Sequence, residues 1–390
     1  AVAMLNVLLG SWNRKGGFYK PEKVKLPDFP LPPYPKPRYH TRDAYPGKWP
    51  FAPQGVTNGV IDASVGEDAF FKGWLVYGTN LPQTIPNVAA KLEAAANSLE
   101  LVVVVETMPS EMTGYADVIL PECTYLERFD ELRNSGERHP SLALRMPAFE
   151  PKYESKPGWW IAKQLGERLG LRHYFPWNDY ADKLDWELQQ VGSSLEEMQK
   201  IGVKNFPRKR PLYFREGQNV RFFTPSRKIE LYSQQLADKG FDPMPVYTPP
   251  EPVPNGYYRL NYGRMPAHTF GKTTNNPLLF QLAPENQLWV NPLVASEHGL
   301  ASGEYVRLAS REGAISSKIR VRVTERIGPV SVFMAHGFGH TSKRLRLTAG
   351  AGADDSELMT NIKVDPIMGG TGMRGNFVTF VRQPGEGGAA

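Results

Sequence analysis

Six hydrogen-bonding side chains lie close together in the stretch from Tyr258 to Pro292, YRLNYGRMPAHTFGKTTNNPLLFQLAPENQLWVNP. A short strand and a turn at Gly263-Arg264 precede them, and they are His268, Thr269, Thr273, Thr274, Asn275 and Asn276. Polar side chains at this density after a glycine turn suit a loop that wraps a polar ligand. Ordinary surface loops have the same composition, so spacing alone leaves both interpretations open.

No self-contained catalytic set accompanies this stretch. The one close histidine pair, His336 and His340 in AHGFGH, is weak as a metal pair because its glycines disfavour a helix and no third ligand is near. The single cysteine, Cys123, excludes an internal disulfide, a CxxC zinc site and an iron–sulfur cluster built from this chain alone. GxSxG, HExxH and P-loop motifs are absent from the sequence. The residues therefore predict binding surfaces without an evident reaction centre.

Size and charge narrow the class of protein. A chain of 390 residues predicts two or three domains, and a formal charge of +6 could favour anionic ligands. No basic face repeats at helical spacing and no recognition motif occurs, so nucleic acid is not a predicted partner. The longest apolar run, 101–105, has the length of a strand and is too short to span a membrane.

The first 65 residues predict little regular structure. AVAMLNVLLG is typical of a helix stopped at Gly10, and this opening suggests a fragment of a longer chain. Prolines crowd residues 11–65, so neither a helix nor a central strand is expected there. We predict an extended segment on a domain or partner surface, with a disordered linker as the alternative.

From residue 73 onward, strands and helices alternate. The segments 73–78, 101–106 and 116–121 predict strands and 86–98 a helix, which favours a right-handed βαβ unit. Ligands of such sheets bind beyond the carboxyl ends of the strands, here Gly78-Thr79-Asn80 and Glu106-Thr107. No GxGxxG follows the first strand, so an NAD fingerprint is absent. Further helices are predicted at 157–170, 184–190 and 194–201, and 222–233 predicts a turn between strand-like residues.

A third region begins after a linker near residue 250. Short segments with turn signals between them predict strands at 258–262, 288–291, 304–309, 314–323, 330–334 and 377–382. This spacing favours a β-barrel, with the glycine-rich end of the chain disordered. The predicted fold class is α/β, a Rossmann-like parallel-sheet domain plus a C-terminal β-barrel domain. The predicted domains are a proline-rich segment over 1–65, the α/β domain over 66–248 and the barrel over 249–390.

Several segments resemble one family. ADVILPECTYLERFDE (116–131), FFTPSRKIELYS (222–233), WVNPLVASEHGLASGEYVRLASREGAI (289–315) and GMRGNFVTFVR (372–382) follow the order of the C-terminal half of molybdopterin oxidoreductases of the dimethyl sulfoxide reductase family. The stretch Tyr258–Pro292 resembles the start of that family's dinucleotide-binding barrel. Arg227 stands where the family usually has glycine. Within the family, the polysulfide and thiosulfate reductases are the most similar group.

The resemblance implies a molybdenum or tungsten ion held by two molybdopterin guanine dinucleotides. It also implies that the protein ligand to the metal and a 4Fe-4S cluster belong to an N-terminal half outside this sequence, so no metal ligand is assigned here. One nucleotide would contact Gly78, Thr79, Asn80, Glu106 and Thr107. The other dinucleotide would contact Gly263, Arg264, His268, Thr269, Thr274, Asn275 and Asn376, with the Arg264 guanidinium suited to a pyrophosphate.

The resemblance further implies an inorganic sulfur substrate and electrons that arrive from a membrane quinol-oxidising subunit through an iron–sulfur subunit. A periplasmic position, on the outer face of the cytoplasmic membrane, is usual for this group. Two alternatives stay open: a tetrathionate or arsenate reductase of the same family, and a structural homologue that has lost its metal.

Overall fold

A computed structural model describes residues 2–19, 21–52, 55–218 and 221–381. The chain divides into two compact units. We call residues 37–121 and 249–390 the sheet–barrel unit, and residues 1–36 and 122–248 the helical unit. The three domains predicted from sequence stay a prediction.

The described residues form short helices and strands in both units. The helices are α1 (Val2–Leu8), α2 (Thr57–Asp62), α3 (Leu81–Thr84), α4 (Ala89–Ser98), α5 (Gly158–Arg168), α6 (Tyr180–Gln189), α7 (Leu195–Ile201), α8 (Gln234–Ala237), α9 (Pro277–Leu282) and α10 (Pro292–His298). The strands are β1 (Gly73–Tyr77), β2 (Leu101–Glu106), β3 (Val118–Pro121), β4 (Arg133–Gly136), β5 (Pro140–Ala143), β6 (Val203–Asn205), β7 (Tyr258–Gly263), β8 (Gln287–Val290), β9 (Tyr305–Ser310), β10 (Ile319–Val323), β11 (Ser331–Ala335), β12 (Lys363–Val364), β13 (Thr371–Gly372) and β14 (Phe377–Val381). Single turns of 3-10 helix lie at Thr41–Ala44, Glu111–Tyr115, Arg172–Tyr174, Phe270–Lys272 and Asp355–Leu358.

The strands β1, β2 and β3 form the predicted parallel sheet of the sheet–barrel unit, in that order. The β-branched run of β2 lies in the centre, where parallel strands bury both faces best. Val102 and Val104 are buried with Leu92 of α4, so the crossover helix covers one face of the sheet. The three strands run in the same direction, and the loops that follow them meet at one edge.

A closed six-stranded barrel completes this unit, with the order β10-β8-β11-β7-β14-β9. The barrel interior is a continuous apolar cluster that includes Leu260, Leu288, Leu308, Val321 and Val332. The strands β7 and β11 are parallel neighbours and end at Gly263 and Ala335, so the loops that follow them start at the same end of the barrel. The predicted barrel and the fold class are confirmed.

The helical unit contains the antiparallel sheet β4-β5-β6 and helices α5 to α8. Leu142, Leu184, Leu188 and Met198 form its core. Within it, part of the proline-rich segment lies along the surface as predicted. Phe29, for example, has its ring centroid 4.8 Å from that of Trp186.

In the first hundred residues, one helix was not predicted and another starts later than predicted. Helix α2 (Thr57–Asp62) falls inside residues 11–65, where no helix was expected. Residues 57–62 contain no proline and can therefore form a helix. Gly59 packs so closely on Tyr45 that a Cβ added there would lie 2.8 Å from its ring. The helix predicted from residue 86 starts at Ala89 instead, because Asn87 has a left-handed φ of 50° that cannot continue a helix.

Three further boundaries differ from the predictions. Helix α6 starts four residues before position 184 because Asp179 caps it with a reciprocal capping box. The strand predicted over 314–323 is regular only from Ile319, since the Ser316 hydroxyl accepts from Leu308 N instead of leaving that amide to a strand. The described residues of 222–233 contain a turn and no strand. Residue 382 and the glycine-rich tail, whose disorder was predicted, lie outside the described residues.

The backbone conformation of Arg227 explains why glycine suits position 227. Its φ is 60°, in the left-handed region, and its N–H donates to Thr224 O at 3.0 Å. A residue with a Cβ pays an energetic cost in this conformation, whereas glycine adopts it freely.

Candidate functional site

The first group of predicted site residues meets at the carboxyl edge of the parallel sheet. Gly78 follows β1 and its N–H donates to Val105 O of β2 at 2.9 Å, which places it beside Glu106. Gly78 has a φ of +56°, and a Cβ built there meets no atom within 4 Å. The backbone is therefore open to a ligand at this point.

Glu106 offers a carboxylate at the same edge. Its Oε1 accepts from the N–H of Thr107 at 2.8 Å and from the Thr107 hydroxyl at 3.2 Å, while Oε2 has no hydrogen-bond partner among the described residues. The Thr79 hydroxyl donates to Tyr77 O at 3.2 Å and keeps its own acceptor capacity. Glu106 is thus oriented by its neighbour and can accept from paired N–H groups or from ribose hydroxyls.

Asn80 differs from the other four predicted residues at this edge because its side-chain amide already forms hydrogen bonds within the protein. Its Nδ2 donates to Glu111 at 2.6 Å and to Gln83 at 3.3 Å, and its Oδ1 accepts from Met112 N at 3.1 Å. Asn80 therefore holds the loop after β1 against the loop after β2. Its predicted contact with a nucleotide stays a prediction.

Glu111 is the centre of a network that joins these sheet loops to the barrel. Its side chain is 8% exposed, and its oxygens accept from His340 Nδ1 at 3.1 Å, Thr341 N at 2.8 Å and Ser342 N at 3.0 Å, in addition to Asn80. Burial alone would raise the pKa of Glu111, but the hydrogen bonds from His340 and Ser342 and the charge of His340 outweigh it and lower the pKa to about 2. The network holds an ionised carboxylate in the interior.

His340 extends the network to the second group of predicted residues. Its Nε2 lies 3.1 Å from the Thr274 hydroxyl, which in turn donates to Gly271 O at 3.0 Å. Gly271 leaves no room for a side chain, because a Cβ there would lie 3.0 Å from His340 Nε2. Thr274 is fully buried and so acts inside the protein.

The second group lies at the end of the barrel where β7 stops. Arg264 follows Gly263, is exposed, and has its guanidinium carbon 4.9 Å from the centroid of the Phe270 ring. Thr269 is exposed, with its N–H bonded to the Thr273 hydroxyl at 2.8 Å. These side chains are available to a ligand.

Other members of this group form hydrogen bonds with protein groups. His268 is buried, with Nε2 2.8 Å from Ala283 O and Nδ1 3.3 Å from the Thr273 hydroxyl, so both ring nitrogens have partners. Asn275 accepts from Leu347 N at 3.0 Å and ties residues 343–347 to the loop. His268 and Asn275 shape the loop, and their predicted contact with a cofactor remains untested.

Asn376 is fully buried and returns to the opening stretch through its backbone. Its carbonyl accepts from Leu260 N at 3.0 Å, while its side chain bonds Asn361 N at 2.9 Å and Met373 O at 2.7 Å. Its amide therefore joins the segments around β12, β13 and β14, and its predicted contact with a cofactor stays a prediction.

Two joined loops at the barrel end contain exposed basic residues and no acidic ones. Segments 264–276 and 341–350, tied together by Asn275, contain no aspartate or glutamate. Their basic residues, which form no ion pair among the described residues, are Arg264, Lys272, Lys343, Arg344 and Arg346. Exposed, uncompensated cations on two joined loops fit a ligand with several negative charges, such as a pyrophosphate.

Sequence reasoning missed Glu111 and gave His336 and His340 a weak metal role instead. In the structure the two histidines contact different carboxylates. His336 contacts Asp355, and His340 contacts Glu111. Among the described residues no group of three metal-ligating side chains occurs. In the sequence, the local indication of this arrangement is the glycine pattern of AHGFGH, which is typical of a tightly packed turn.

No helix within the described residues is both long and apolar enough to cross a membrane.

Two family models match the chain over the two parts of this site. Residues 52–168 match the molybdopterin oxidoreductase model, and residues 258–376 match the molybdopterin dinucleotide binding domain. The first match contains the parallel sheet and its edge loops, and the second contains most of the barrel.

Curated relatives and a solved structure agree with these models. The chain is 32% identical over 380 residues to the thiosulfate reductase molybdopterin-containing subunit PhsA of Salmonella typhimurium, covering 86% of this chain and 49% of that protein. It is 26% identical over 310 residues to the dimethyl sulfoxide reductase DmsA of Escherichia coli, covering 72% of this chain and 37% of that protein. The structure of acetylene hydratase from Pelobacter acetylenicus superposes with a TM-score of 0.70 at 21% identity, covering 85% of this chain and 47% of that one, which shows the fold.

The chain spans half or less of the length of these relatives. The first model matches the part of the chain that contains the sheet edge, and the second matches the part that contains the barrel end. The chain therefore belongs to the molybdopterin oxidoreductases of the dimethyl sulfoxide reductase family.

Proposed function

We propose that this chain is part of the catalytic subunit of a reductase that binds molybdenum through two molybdopterin guanine dinucleotides and reduces thiosulfate or polysulfide. The observation that carries the proposal is the pairing of two unlike surfaces in one unit: the open carboxylate of Glu106 at the sheet edge, and the exposed basic side chains of segments 264–276 and 341–350 at the barrel end. The similarity to a thiosulfate reductase subunit supports the choice of substrate.

The residues present fit two such ligands. At the sheet edge, Glu106 suits the N–H groups of guanine, and Gly78 lets a nucleotide approach the backbone. At the barrel end, Arg264 and the basic residues of 343–346 suit a pyrophosphate. When bound, the cofactor would supply the two-electron redox chemistry, and this chain would contribute binding, orientation and electrostatics.

The remaining parts of the proposal rest on the family. They are a metal ligand and a 4Fe-4S cluster from chain outside this sequence, an iron–sulfur subunit that delivers electrons, a membrane subunit that oxidises quinol, and a periplasmic position. Tungsten in place of molybdenum, and tetrathionate or arsenate as substrate, are the alternatives within the family.

Metal and nucleotide analysis of the full-length protein tests the cofactor. We expect about one molybdenum or tungsten and two guanine nucleotides, released by acid hydrolysis, per molecule. A folded, active preparation without either metal would contradict the proposal. A folded, inactive one without either metal or guanine nucleotide would favour a structural homologue.

Substrate assays with the purified complex test the reaction. Thiosulfate, polysulfide, tetrathionate and arsenate are compared with a reduced dye as electron donor. We expect turnover of the first two. Because the relatives also include an acetylene hydratase, hydration of acetylene serves as the non-redox comparison. Turnover of arsenate or acetylene alone would refute the proposed substrate class.

A further inference from the structure

His336 and Arg264 pack against the same phenyl ring at the barrel end, and no role has been assigned to His336 so far. It follows β11 directly, and its N–H donates to Gly263 O at 2.9 Å. The Phe270 ring lies next to both side chains: Arg264 Cζ is 4.9 Å from its centroid, and the His336 ring meets it edge-on at 5.3 Å and 76°. The two side chains are thus held against one aromatic ring.

The backbone is arranged to keep this ring in place. Phe270 has a φ of 50°, a left-handed conformation that is costly for a bulky side chain. Gly337, with a φ of +94°, packs so closely on residues 270 and 271 that a Cβ there would lie 2.3 Å from Gly271 N. The loop after β7 and the loop after β11 therefore fix Phe270 between them.

The carboxylate of Asp355 orients the imidazole of His336. Its Nδ1 lies 2.8 Å and 3.0 Å from the two carboxylate oxygens of Asp355, whose side chain is fully buried. Its Nε2 has no hydrogen-bond partner among the described residues and is not a buried atom. A carboxylate on one nitrogen fixes the ring and leaves the other nitrogen to face a ligand.

We infer that Arg264 and His336 form an oxyanion-binding pair, in which Asp355 accepts from Nδ1 and the protonated imidazole donates from Nε2 to a phosphoryl group or a similar oxyanion. The inference rests on the proposed function only for the source of that anion. The anion is either the pyrophosphate of a bound dinucleotide or an inorganic oxyanion substrate.

The charges around His336 agree with a donor role. Burial lowers the pKa of His336, but the hydrogen bond and charge of Asp355 and the charge of Asp354 outweigh burial and raise it above 6.5. The pKa of the buried Asp354 is itself raised to about 7 by burial and by Asp355, so its charge is only partial near neutral pH. The other groups that face His336 are Tyr262, with its ring centroid at 6.1 Å, and Arg264 across Phe270.

Calorimetric titration with inorganic pyrophosphate tests the pair, on full-length protein purified from a host that cannot make the cofactor. His336→Asn keeps a donor for Asp355 and removes Nε2, and Arg264→Gln removes the guanidinium. Each is expected to weaken binding about tenfold at pH 7, the effect of one charge-assisted hydrogen bond. The control Arg322→Gln removes an exposed arginine that lies 5.5 Å over Trp289 of the same barrel, and should leave binding unchanged.

A pH profile separates this role from a structural one. Because the raised pKa of His336 depends on Asp355, Asp355→Asn should bind pyrophosphate as the wild type does at pH 5.5 and lose binding at a lower pH than the wild type as pH rises. Circular dichroism verifies that the variants are folded. Unchanged titrations for both His336→Asn and Arg264→Gln, or an unshifted profile for a folded Asp355→Asn, would overturn the inference.

Holoprotein then distinguishes the two sources. Loss of guanine nucleotide from His336→Asn and Arg264→Gln assigns the pair to the cofactor, whereas full nucleotide content with a raised KM for thiosulfate assigns it to substrate. The proposed function fails separately, when wild-type protein contains no metal and no guanine nucleotide. Pyrophosphate binding to the pair can still be measured in that case.

Discussion

Glu111 and His340 are 229 positions apart in the sequence, and their side chains meet at 3.1 Å inside the sheet–barrel unit. Through Asn80 on one side and Thr274 on the other, this contact connects the loop after β1 with the loop after β7. Both loops contain predicted cofactor residues. The pair therefore fixes the two candidate binding surfaces relative to each other.

Replacing Glu111 by glutamine should loosen both loops. The glutamine amide lacks the negative charge that accepts hydrogen bonds from four donors. The free energy of unfolding should fall by about 2 kcal/mol, because hydrogen bonds to a charged group contribute more than neutral ones. Hydrogen exchange of the Thr341 and Ser342 amides should become about thirtyfold faster. The control Glu196→Gln breaks an exposed helix pair with Lys200 and should change exchange little. Equal rates at residues 341 and 342 in Glu111→Gln would contradict the role.

Acid should remove the same stabilisation in the wild type. The folded pKa of Glu111 is about 2 and its ordinary value is 4.5, so its contribution is complete above pH 4.5 and is lost as pH falls toward 2. The difference in free energy of unfolding between wild type and Glu111→Gln should shrink progressively as pH falls through that window. Urea denaturation at pH 6, 4 and 3 measures it. A difference that is constant with pH would show that the pKa of Glu111 is the same in the folded and unfolded states.

The sequence predicted the parts of this site that depend on neighbouring residues. The β-branched run 101–106 indicated a buried strand, and the polar residues after it then had to lie at the sheet edge, as Glu106 and Thr107 do. The glycine turn at 263 likewise marked the end of β7.

The contacts that depend on distant residues could not be predicted in this way. Glu111 stands in a loop among ordinary residues, and only the folded chain brings it to His340. The family resemblance implied that Asn80 and Thr274 contact a ligand, and polar side chains in loops are compatible with that role or with a structural one. In the structure both bond other protein groups, which local sequence does not reveal.

Gly337 should be far less tolerant of alanine than its conformation alone requires. Its φ of +94° is nearly that of Gly313, at +93°, but a Cβ at Gly313 meets no atom within 4 Å, whereas one at Gly337 would lie 2.3 Å from Gly271 N. Gly313→Ala should cost about 1–2 kcal/mol for the backbone conformation, and Gly337→Ala at least 2 kcal/mol more for the displaced loop. Thermal denaturation of both variants measures the difference. Equal destabilisation would show that residues 270 and 271 shift without cost.

Arg227→Gly should stabilise the helical unit. The left-handed conformation costs a residue with a Cβ about 1–2 kcal/mol, and the greater freedom of glycine in the unfolded chain offsets part of this, so a net gain of about 0.5–1 kcal/mol is expected. Urea denaturation measures the gain. Arg227→Ala keeps the Cβ and should gain nothing, so a gain in the alanine variant would point to the arginine side chain rather than to the backbone.

Glu106→Gln should remove one of two guanine nucleotides and leave the other. An ionised carboxylate accepts from two adjacent N–H groups of guanine, whereas the amide of glutamine opposes one of those donors with a donor of its own, which leaves buried polar groups unpaired. We expect affinity at the sheet edge to fall at least about tenfold. Guanine nucleotide released by acid from full-length protein should then drop from two per molecule to about one.

The location of Glu106 makes this result specific. Glu106 takes its hydrogen bonds only from Thr107 among the described residues, so its replacement should not disturb the network of Glu111 or the barrel end. Glu325→Gln, at an exposed turn after β10, serves as the control and should keep both nucleotides. Loss of both nucleotides from a folded Glu106→Gln protein would mean that the two surfaces bind cooperatively. Retention of both would refute the assignment of guanine to this edge.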